Sequence, residues 1–265
     1  MALTGKVVVV TGAARGMGEE YVRAFLKEGC KVAALDVSWK GVESFQQELS
    51  FYEEAIILSG DISSDGDIDA VYQSTIERFG TIDVLINNAS IRMRDVEPST
   101  VINILDTSND QWQKTFEVSL FGTIKVIRRF VQPMLEAKSG SIINIFSSSG
   151  QQGRPGNQPY AAVKAALNNM TQSLAGELKE HNIAVNSLMP GGTRSTGYDE
   201  QTRLQQELGH VRRQLPVRPD HTVPAALFLA QQNASSFTGE SVDALKWNEA
   251  NSFGGYDSWV SPDQD

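Results

Sequence analysis

The sequence predicts a doubly wound parallel β-sheet with helices on both faces, a three-layer α/β/α arrangement. Short, continuously apolar runs alternate with amphipathic stretches, which is typical of strands that are buried on both faces and joined by crossover helices. The chain has 265 residues, 40% hydrophobic and 21% charged, so it can bury a full core without disulfides. No internal repeat or linker divides it, and we expect a single domain over residues 1–265.

Six apolar runs predict the strands, and the stretches between them predict the helices. The strand runs are Val7–Val10, Val32–Leu35, Ala55–Leu58, Val84–Ile86, Ile142–Phe146 and Ile183–Leu188. Helices are expected at about 16–29, 41–51, 68–79, 110–137 and 160–180. Residues 89–109, 191–219 and the tail after 241 break this alternation. We expect 191–219 to form a substrate loop and 244–265 an unusually aromatic C-terminal tail.

Charge and cysteine content exclude several classes of protein. The 32 acidic side chains outnumber the 23 basic ones, which argues against a nucleic acid or an anionic membrane as the main partner. Cys30 is the sole cysteine and the three histidines have no metal-ligand spacing, so we expect no disulfide and no metal site. The start of the chain lacks a secretory pattern, and no apolar run approaches the roughly 18 residues of a membrane span. We therefore expect a cytoplasmic protein.

A glycine-rich turn, Thr11–Gly18, connects the first predicted strand to the first helix. Glycines at this position allow a tight turn and let the backbone approach a pyrophosphate at the N-terminus of the helix. Asp36 ends the second strand, 18 residues beyond Gly18. Its carboxylate can accept hydrogen bonds from ribose hydroxyls and would repel a 2′-phosphate, which favours NAD. Arg15 lies beside the turn and could bind that phosphate, so NADP stays open.

Tyr160 and Lys164 are four residues apart in a predicted helix and therefore share one face. A free phenol titrates near pH 10, too high for ready proton exchange at neutral pH. A cation about 4 Å away supplies roughly 4 kcal/mol at an effective dielectric constant near 20, which is the energy needed to bring the phenol towards pH 7. The pair therefore predicts a general acid/base.

Ser147 follows the fifth predicted strand, 13 residues before Tyr160. It belongs to the carboxyl edge of the sheet, where open α/β sheets bind ligands. With these residues in place, the chain resembles the short-chain dehydrogenase/reductase family over residues 5–243. The matching motifs are Thr11–Gly18, Asp61, Asn87–Ala89, Ser147, Tyr160, Lys164 and Pro190–Gly191. The resemblance implies a Rossmann-type fold and hydride transfer between NAD(H) and a secondary alcohol or ketone.

The resemblance also implies the roles of single residues. Tyr160 would donate or accept the proton, Lys164 would bind the nicotinamide ribose, and Ser147 would hydrogen-bond the substrate oxygen. The implied cofactor contacts are Gly12, Arg15, Gly16, Met17, Gly18, Asp36, Asp61, Ile62, Asn88, Ala89, Tyr160, Lys164, Pro190, Gly191 and Thr193. Thr193 would lie near the carboxamide, and Asn87 would secure the cofactor channel.

The substrate pocket is expected from the loop after Ala89 and the stretch after Pro190. The candidate substrate contacts are Ser147, Tyr160, Arg92, Arg154, Gly192 and Tyr198. Clustered arginines could bind an anionic group on the substrate. Alternatively, they are solvated loop residues that balance nearby carboxylates.

The chain departs from the family pattern at several positions. Ser119 occupies the place of an asparagine that belongs to the family's proton relay, and we expect it to keep part of that relay as a fourth catalytic residue. Ser90 replaces a glycine, and Ser195 replaces a threonine. The tail carries Trp247 and Trp259, which predict either packing on its own subunit or an oligomer contact.

Two other functions compete with the NAD-dependent dehydrogenase. One is an NADP-dependent ketone reductase, which Arg15 would favour. The other is a non-catalytic regulator that binds NAD, which the loss of the asparagine at Ser119 would favour. Because such regulators often lose the tyrosine or the lysine, the presence of Tyr160 and Lys164 favours an enzyme. The resemblance further implies a homodimer or homotetramer that acts on a small molecule.

Overall fold

A parallel sheet forms the centre of the molecule. The structure, a computed structural model, describes residues 3–92, 104–153, 158–194 and 215–261. Within these ranges seven strands pair in the order β3-β2-β1-β4-β5-β6-β7, and every pairing is parallel. The strands are β1 Val7–Thr11, β2 Lys31–Asp36, β3 Ala55–Ser59, β4 Val84–Asn87, β5 Gly140–Ile145, β6 Ile183–Met189 and β7 Ser241–Asp243. The predicted Rossmann-type fold class is confirmed.

The helices cover both faces of this sheet. In the described ranges they are α1 Gly16–Lys27, α2 Glu43–Leu49, α3 Asp65–Phe79, α4 Asn109–Phe116, α5 Thr123–Phe130, α6 Gln132–Ala137, α7 Gln158–Glu177, α8 Val223–Ala230, α9 Ala244–Ala250 and α10 Tyr256–Trp259. None of them is long and apolar enough to cross a membrane.

The single long helix expected over 110–137 is interrupted twice. A π-helical turn, Glu117–Gly122, separates α4 from α5. At Gly122 the backbone comes so close to the loop after β3 that a Cβ would lie 2.9 Å from the Ile62 carbonyl oxygen. Pro133 then stands at the start of α6 and lacks the N–H that would continue the helical ladder from α5. Close packing and a proline therefore override the apolar periodicity.

Two apolar cores lie on opposite faces of the sheet. Val8 packs with Phe25 of α1 in one core, whereas Val9 packs with Phe130 of α5 in the other. Because successive side chains of a strand point to opposite faces, a strand covered on both sides needs an unbroken apolar run. This explains why β1 has no polar alternation. The sequence does not predict β7, because only one of its three residues, Val242, is apolar.

Strand order fixes where a ligand can bind. From β1 the chain moves outward through β2 to β3, and then returns to place β4 on the other side of β1. The connections after β1 and β4 diverge, which opens a crevice at the carboxyl ends of these two strands. The expected site therefore lies above the centre of the sheet.

Candidate active site

A cavity of about 640 Å³ opens at the carboxyl edge of the sheet, within the usual size range of ligand pockets. Most of the residues predicted for the site line it. They are Gly12, Arg15, Gly16, Met17, Asp36, Asp61, Ile62, Asn88, Ala89, Arg92, Ser147, Tyr160, Lys164, Pro190, Gly191 and Thr193. The fold thus brings together side chains that are up to 181 positions apart in the chain.

The glycine turn is shaped by two close approaches. Gly12 has a φ of 64°, and a Cβ there would lie 2.9 Å from the Cα of Ala89. Gly18 does not line the cavity; it is buried, and a Cβ there would overlap the carbonyl oxygen of Gly12. In this position the glycine lets α1 pack against the turn.

The N-terminus of α1 suits a phosphate group. Arg15 occupies the N-cap position, and no side chain caps the helix there. The first backbone N–H groups of a helix have no partner within it and carry partial positive charge. Gly16 and Met17 begin the helix and line the cavity. A pyrophosphate would satisfy these donors, as at other helix N-termini that bind anions.

Asp36 and Arg15 meet at the end of β2. One oxygen of the Asp36 carboxylate accepts from the backbone N–H of Ala14 at 3.0 Å, and the other accepts from the N–H of Ser38 at 3.0 Å. The Arg15 guanidinium donates to the backbone carbonyls of Ser38 and Lys40. Arg15 thereby ties the turn after β1 to the loop after β2.

Asp61 and Ile62, in the loop after β3, form another part of the cavity wall. Burial raises the pKa of the Asp61 carboxyl, but hydrogen bonds from Ser63 and the positive charges of Lys114 and Lys125 outweigh it, so the net pKa is lowered. Lys114, on α4, also lines the cavity. Lys114 was not among the residues predicted for the site. It precedes Val118, another residue of the cavity wall, by four positions, and residues at this spacing share one face of a helix.

The turn after β1 is locked to the loop after β4. The Thr11 hydroxyl accepts from the backbone N–H groups of Asn88 and Ala89, each at 3.0 Å. The Asn88 amide donates to the carbonyls of Thr11 at 3.0 Å and Gly12 at 2.9 Å. Asn87, at the end of β4, is buried and donates to Asn144 of β5 at 2.9 Å. These bonds hold two adjacent walls of the cavity in a fixed relation.

Tyr160 and Lys164 stand on the first turns of α7. The Lys164 ammonium lies 5.5 Å from the centroid of the Tyr160 ring and donates to the Ile145 carbonyl at 2.9 Å. Burial, together with the positive charge of Arg92, lowers the pKa of Lys164 to about 8. The ammonium is therefore close enough to act on the phenol, and its charge depends on pH near neutrality.

Ser147 and Ser119 have different surroundings. Ser147 lines the cavity and accepts a 3.2 Å hydrogen bond from the N–H of Ser149. Ser119 is fully buried in the π-helical turn and does not line the cavity. Its hydroxyl accepts from the N–H of Ile91 at 2.9 Å, with the Ile91 carbonyl at 3.3 Å and the Ser90 hydroxyl at 3.1 Å. Ser119 thus anchors the loop after β4.

The expected substrate contacts are only partly visible. Arg92 lines the cavity together with Ser147 and Tyr160, whereas Gly192 does not reach it. Arg154 and Tyr198 lie outside the described residues. Among the residues that the structure describes, no group of three or more histidine, cysteine, aspartate or glutamate side chains could hold a metal ion.

Both tryptophans of the tail contact their own chain. Trp247 lies 5.2 Å from Phe228 between ring centroids, in a cluster with Phe253. Trp259 lies 6.4 Å from His221 in an edge-to-face arrangement. These contacts support the interpretation that the tail packs on its own subunit.

Comparisons with known proteins agree with this geometry. A family model for short chain dehydrogenase matches residues 6–207. Fluoren-9-ol dehydrogenase of Terrabacter sp. (strain DBF63) is 38% identical over 269 residues, which cover 97% of this chain and 75% of that protein. The 3-alpha-(or 20-beta)-hydroxysteroid dehydrogenase of Mycobacterium tuberculosis is 35% identical over 239 residues, which cover 89% of this chain and 86% of that protein.

A solved structure is similar as well. The crystal structure of 3-ketoacyl-(acyl-carrier-protein) reductase from Brucella melitensis, complexed with NADH, superposes with a TM-score of 0.79 at 28% identity. The match covers 91% of this chain and 97% of the reductase. Sequence and structure agree, and this chain belongs to the short-chain dehydrogenase/reductase family of oxidoreductases.

Proposed function

We propose that this protein is an NAD-dependent dehydrogenase that interconverts a secondary alcohol and its ketone. One observation carries the proposal: Ser147, Tyr160 and Lys164 line the same cavity as the glycine turn and Asp36. The first three residues supply acid/base chemistry, and the others suit a dinucleotide. The relatives support the reaction class, since their names denote dehydrogenases of a fluorenol and of hydroxysteroids.

In the proposed mechanism Tyr160 moves the proton. Its phenolate takes the hydroxyl proton of the alcohol during oxidation and returns it during reduction. Ser147 donates a hydrogen bond to the same substrate oxygen, and the Lys164 ammonium favours the phenolate by its charge. A nicotinamide held in this cavity would supply the hydride acceptor or donor. Asn88 holds the glycine turn through its bonds to Thr11 and Gly12.

The surroundings of Asp36 support NAD rather than NADP. A 2′-phosphate would meet the carboxylate of Asp36, which lines the cavity, and like charges repel. The next residue, Val37, is 68% exposed and uncharged, so it offers no cation to a phosphate. Arg15 already donates to two backbone carbonyls. These bonds hold the guanidinium against the loop after β2.

Turnover measurements test this function. NAD or NADP is mixed with the protein and with fluoren-9-ol, a 3α-hydroxysteroid, an aliphatic secondary alcohol, a polyol or a hydroxy acid, and absorbance is followed at 340 nm. We expect reduction of NAD with at least one secondary alcohol. Preference for NADP would overturn the cofactor assignment. NAD binding without turnover on any alcohol or ketone would favour the non-catalytic regulator.

Asp36→Ala tests the cofactor preference directly. Removal of the carboxylate eliminates both a ribose acceptor and the repulsion of a 2′-phosphate, so the ratio of kcat/KM for NAD to that for NADP should fall about tenfold or more. Asp69→Ala, at an exposed carboxylate of α3 that pairs with Arg129 and is absent from the cavity wall, serves as the control and should leave the ratio unchanged. An unchanged ratio in Asp36→Ala would remove Asp36 from cofactor selection.

A further inference from the structure

His221 is buried between two backbone carbonyls. It is 0% exposed and belongs to a short 3₁₀ turn, Pro219–Thr222. Its Nε2 lies 2.6 Å from the carbonyl oxygen of Pro190, and its Nδ1 lies 2.5 Å from that of Arg218. A neutral imidazole donates from one nitrogen and an imidazolium from both. Burial lowers the pKa of the His221 imidazole, so the neutral ring donates to one of these two carbonyls. The tautomer protonated on Nε2 donates to Pro190, next to the cavity.

The Pro190 carbonyl belongs to a wall of the cavity. Pro190, Gly191 and Thr193 line it, and the Thr193 hydroxyl donates to the same Pro190 carbonyl at 3.1 Å. We call Pro190–Thr193 the β6 wall. His221 therefore supports this wall from the side opposite the ligand space, without lining the cavity itself.

A ladder of backbone bonds joins the β6 wall to the C-terminal segment, defined as residues 244–261. Val217 forms a parallel bridge with Thr193 and an antiparallel bridge with Val260. The N–H of Val217 donates to Gly192 at 3.1 Å, and the N–H of Arg194 donates to Val217 at 2.8 Å. Residues 215–218 thus lie between the wall and the segment.

The C-terminal segment is hydrogen-bonded to residues 215–218 on the side away from the β6 wall. The N–H of Arg218 donates to Trp259 at 2.8 Å, and the N–H of Ser261 donates to Pro216 at 2.8 Å. Asn248, which is fully buried, donates to the His221 carbonyl at 2.7 Å. The segment therefore contacts His221 both through a hydrogen bond and through the ring of Trp259.

We propose that His221 and the C-terminal segment act as positioning elements that fix the β6 wall for the cofactor. The inference rests on the proposed function, because it assigns the wall to NAD binding. Neither His221 nor Trp259 lines the cavity, so both act through Pro190 and Val217. A loosened wall weakens NAD binding, whereas Ser147, after β5, and Tyr160 and Lys164, on α7, keep their places.

His221→Phe is the main test. The substitution keeps an aromatic ring against Trp259 and removes the N–H that the imidazole donates to a backbone carbonyl. We expect the Kd for NAD, measured by protein fluorescence, to rise about tenfold, the effect of one lost hydrogen bond. The kcat at saturating NAD should fall less than threefold. His221→Gln restores an N–H donor towards Pro190 and should recover at least half of the lost affinity on a logarithmic scale.

Amide hydrogen exchange of the apo protein provides a readout that needs no cofactor. The N–H groups of Arg194 and Val217 should exchange faster in His221→Phe, because their partners in the ladder are no longer held. Ser141→Ala is the matched control: it also removes a buried side-chain bond to a carbonyl, that of Leu229 at 2.9 Å, at the amino end of β5. It should leave both exchange and NAD affinity unchanged.

The outcomes separate the two proposals. Faster exchange with unchanged affinity would overturn the positioning role, and unchanged exchange would overturn the mechanical link itself. If His221→Phe does not fold, Trp259→Leu should show the same changes in smaller degree, and unchanged values in that variant would count equally against the inference. If the parent protein does not bind NAD, the proposed function fails and so does the cofactor role, while exchange still tests the link.

Discussion

At the scale of single residues, acid/base chemistry depends on a charge held beside a phenol. Lys164 is 3% exposed and its ammonium is 5.5 Å from the centre of the Tyr160 ring. At that distance and an effective dielectric constant near 20, one positive charge stabilises a phenolate by about 3 kcal/mol. The carbonyl of Ile145 keeps the ammonium in place. The pair therefore suits proton transfer in the cavity.

Tyr160→Phe should abolish turnover and spare cofactor binding. The hydroxyl carries the proton and does not anchor the dinucleotide, so kcat should fall by a factor of about 10² or more, with the Kd for NAD within about twofold of the parent value. Steady-state kinetics and fluorescence titration measure the two quantities. Tyr52→Phe, at an exposed tyrosine, is the control. A variant that keeps more than a tenth of the parent rate would falsify the assignment of Tyr160.

Ser119 makes a different kind of contribution. Its hydroxyl bonds to the backbone of Ile91, so Ser119→Ala leaves a buried N–H without its acceptor, at a cost of about 1–3 kcal/mol. We expect a lower melting temperature and a higher KM, because Ser90, Ile91 and Arg92 line the cavity. Ser173→Ala, on the exposed side of α7, should change neither quantity.

Ser119→Asn addresses the proton relay. An asparagine amide both donates and accepts, so it can bond to the N–H and the carbonyl of Ile91 as the serine does. We expect an equal or higher turnover rate and a smaller solvent deuterium effect. Overpacking of the buried turn would instead cost roughly 1–3 kcal/mol and lower the melting temperature. A slower enzyme with an unchanged melting temperature would show that the serine itself aids catalysis.

At the scale of elements, the strand–turn–helix unit from β1 to α1 shapes the part of the cavity where the proposed dinucleotide would bind. Gly12 passes close to Ala89, and Gly18 packs onto Gly12. The first contact sets the distance between two walls, and the second sets the position of the helix N-terminus. Side chains larger than hydrogen cannot occupy either place without moving the backbone.

Gly18→Ala should therefore weaken both folding and cofactor binding. The added methyl overlaps the Gly12 carbonyl, and we expect about 1–3 kcal/mol of destabilisation with a raised Kd for NAD. Gly176→Ala is the matched control, since no atom lies within 4 Å of a Cβ there and alanine favours a helix by up to about 1 kcal/mol. Urea unfolding compares the two. Equal stability of both variants would contradict the close approach.

At the scale of the whole molecule, a buried cation makes stability depend on pH. Burial and the Arg92 charge lower the pKa of Lys164 to about 8, below the value of about 10.4 for a free lysine. Between these values the unfolded chain holds a proton that the folded chain has released, so stability rises with pH across the window. Below about pH 8 both states are protonated and the cost of the buried charge is fully present.

Lys164→Met tests this dependence. The stability of the parent relative to the variant should increase between pH 8 and 10 by on the order of 2–3 kcal/mol. Unfolding in urea at several pH values measures the difference. Lys27→Met, at an exposed lysine in the last turn of α1, should follow the parent at every pH. A constant difference between parent and Lys164→Met would mean that the ammonium keeps its ordinary pKa.

The sequence by itself determined the fold class and most of the site. Continuous apolar runs identify buried parallel strands because both faces of each strand must be covered, and this is a local property of the chain. The placement of Asp36 and Ser147 at the cavity follows from strand ends, because all parallel strands share one carboxyl edge.

Only the tertiary structure decided which side chains meet across the fold. The π-helical turn around Ser119, the charge of Lys114 beside Asp61, and the contact of His221 with Pro190 join segments that are far apart in the chain. No periodicity or spacing encodes such contacts, since each depends on the packing of neighbouring elements. Gly18 shows the same limit: its close approach to Gly12 depends on how α1 packs against the turn, which the motif alone does not give.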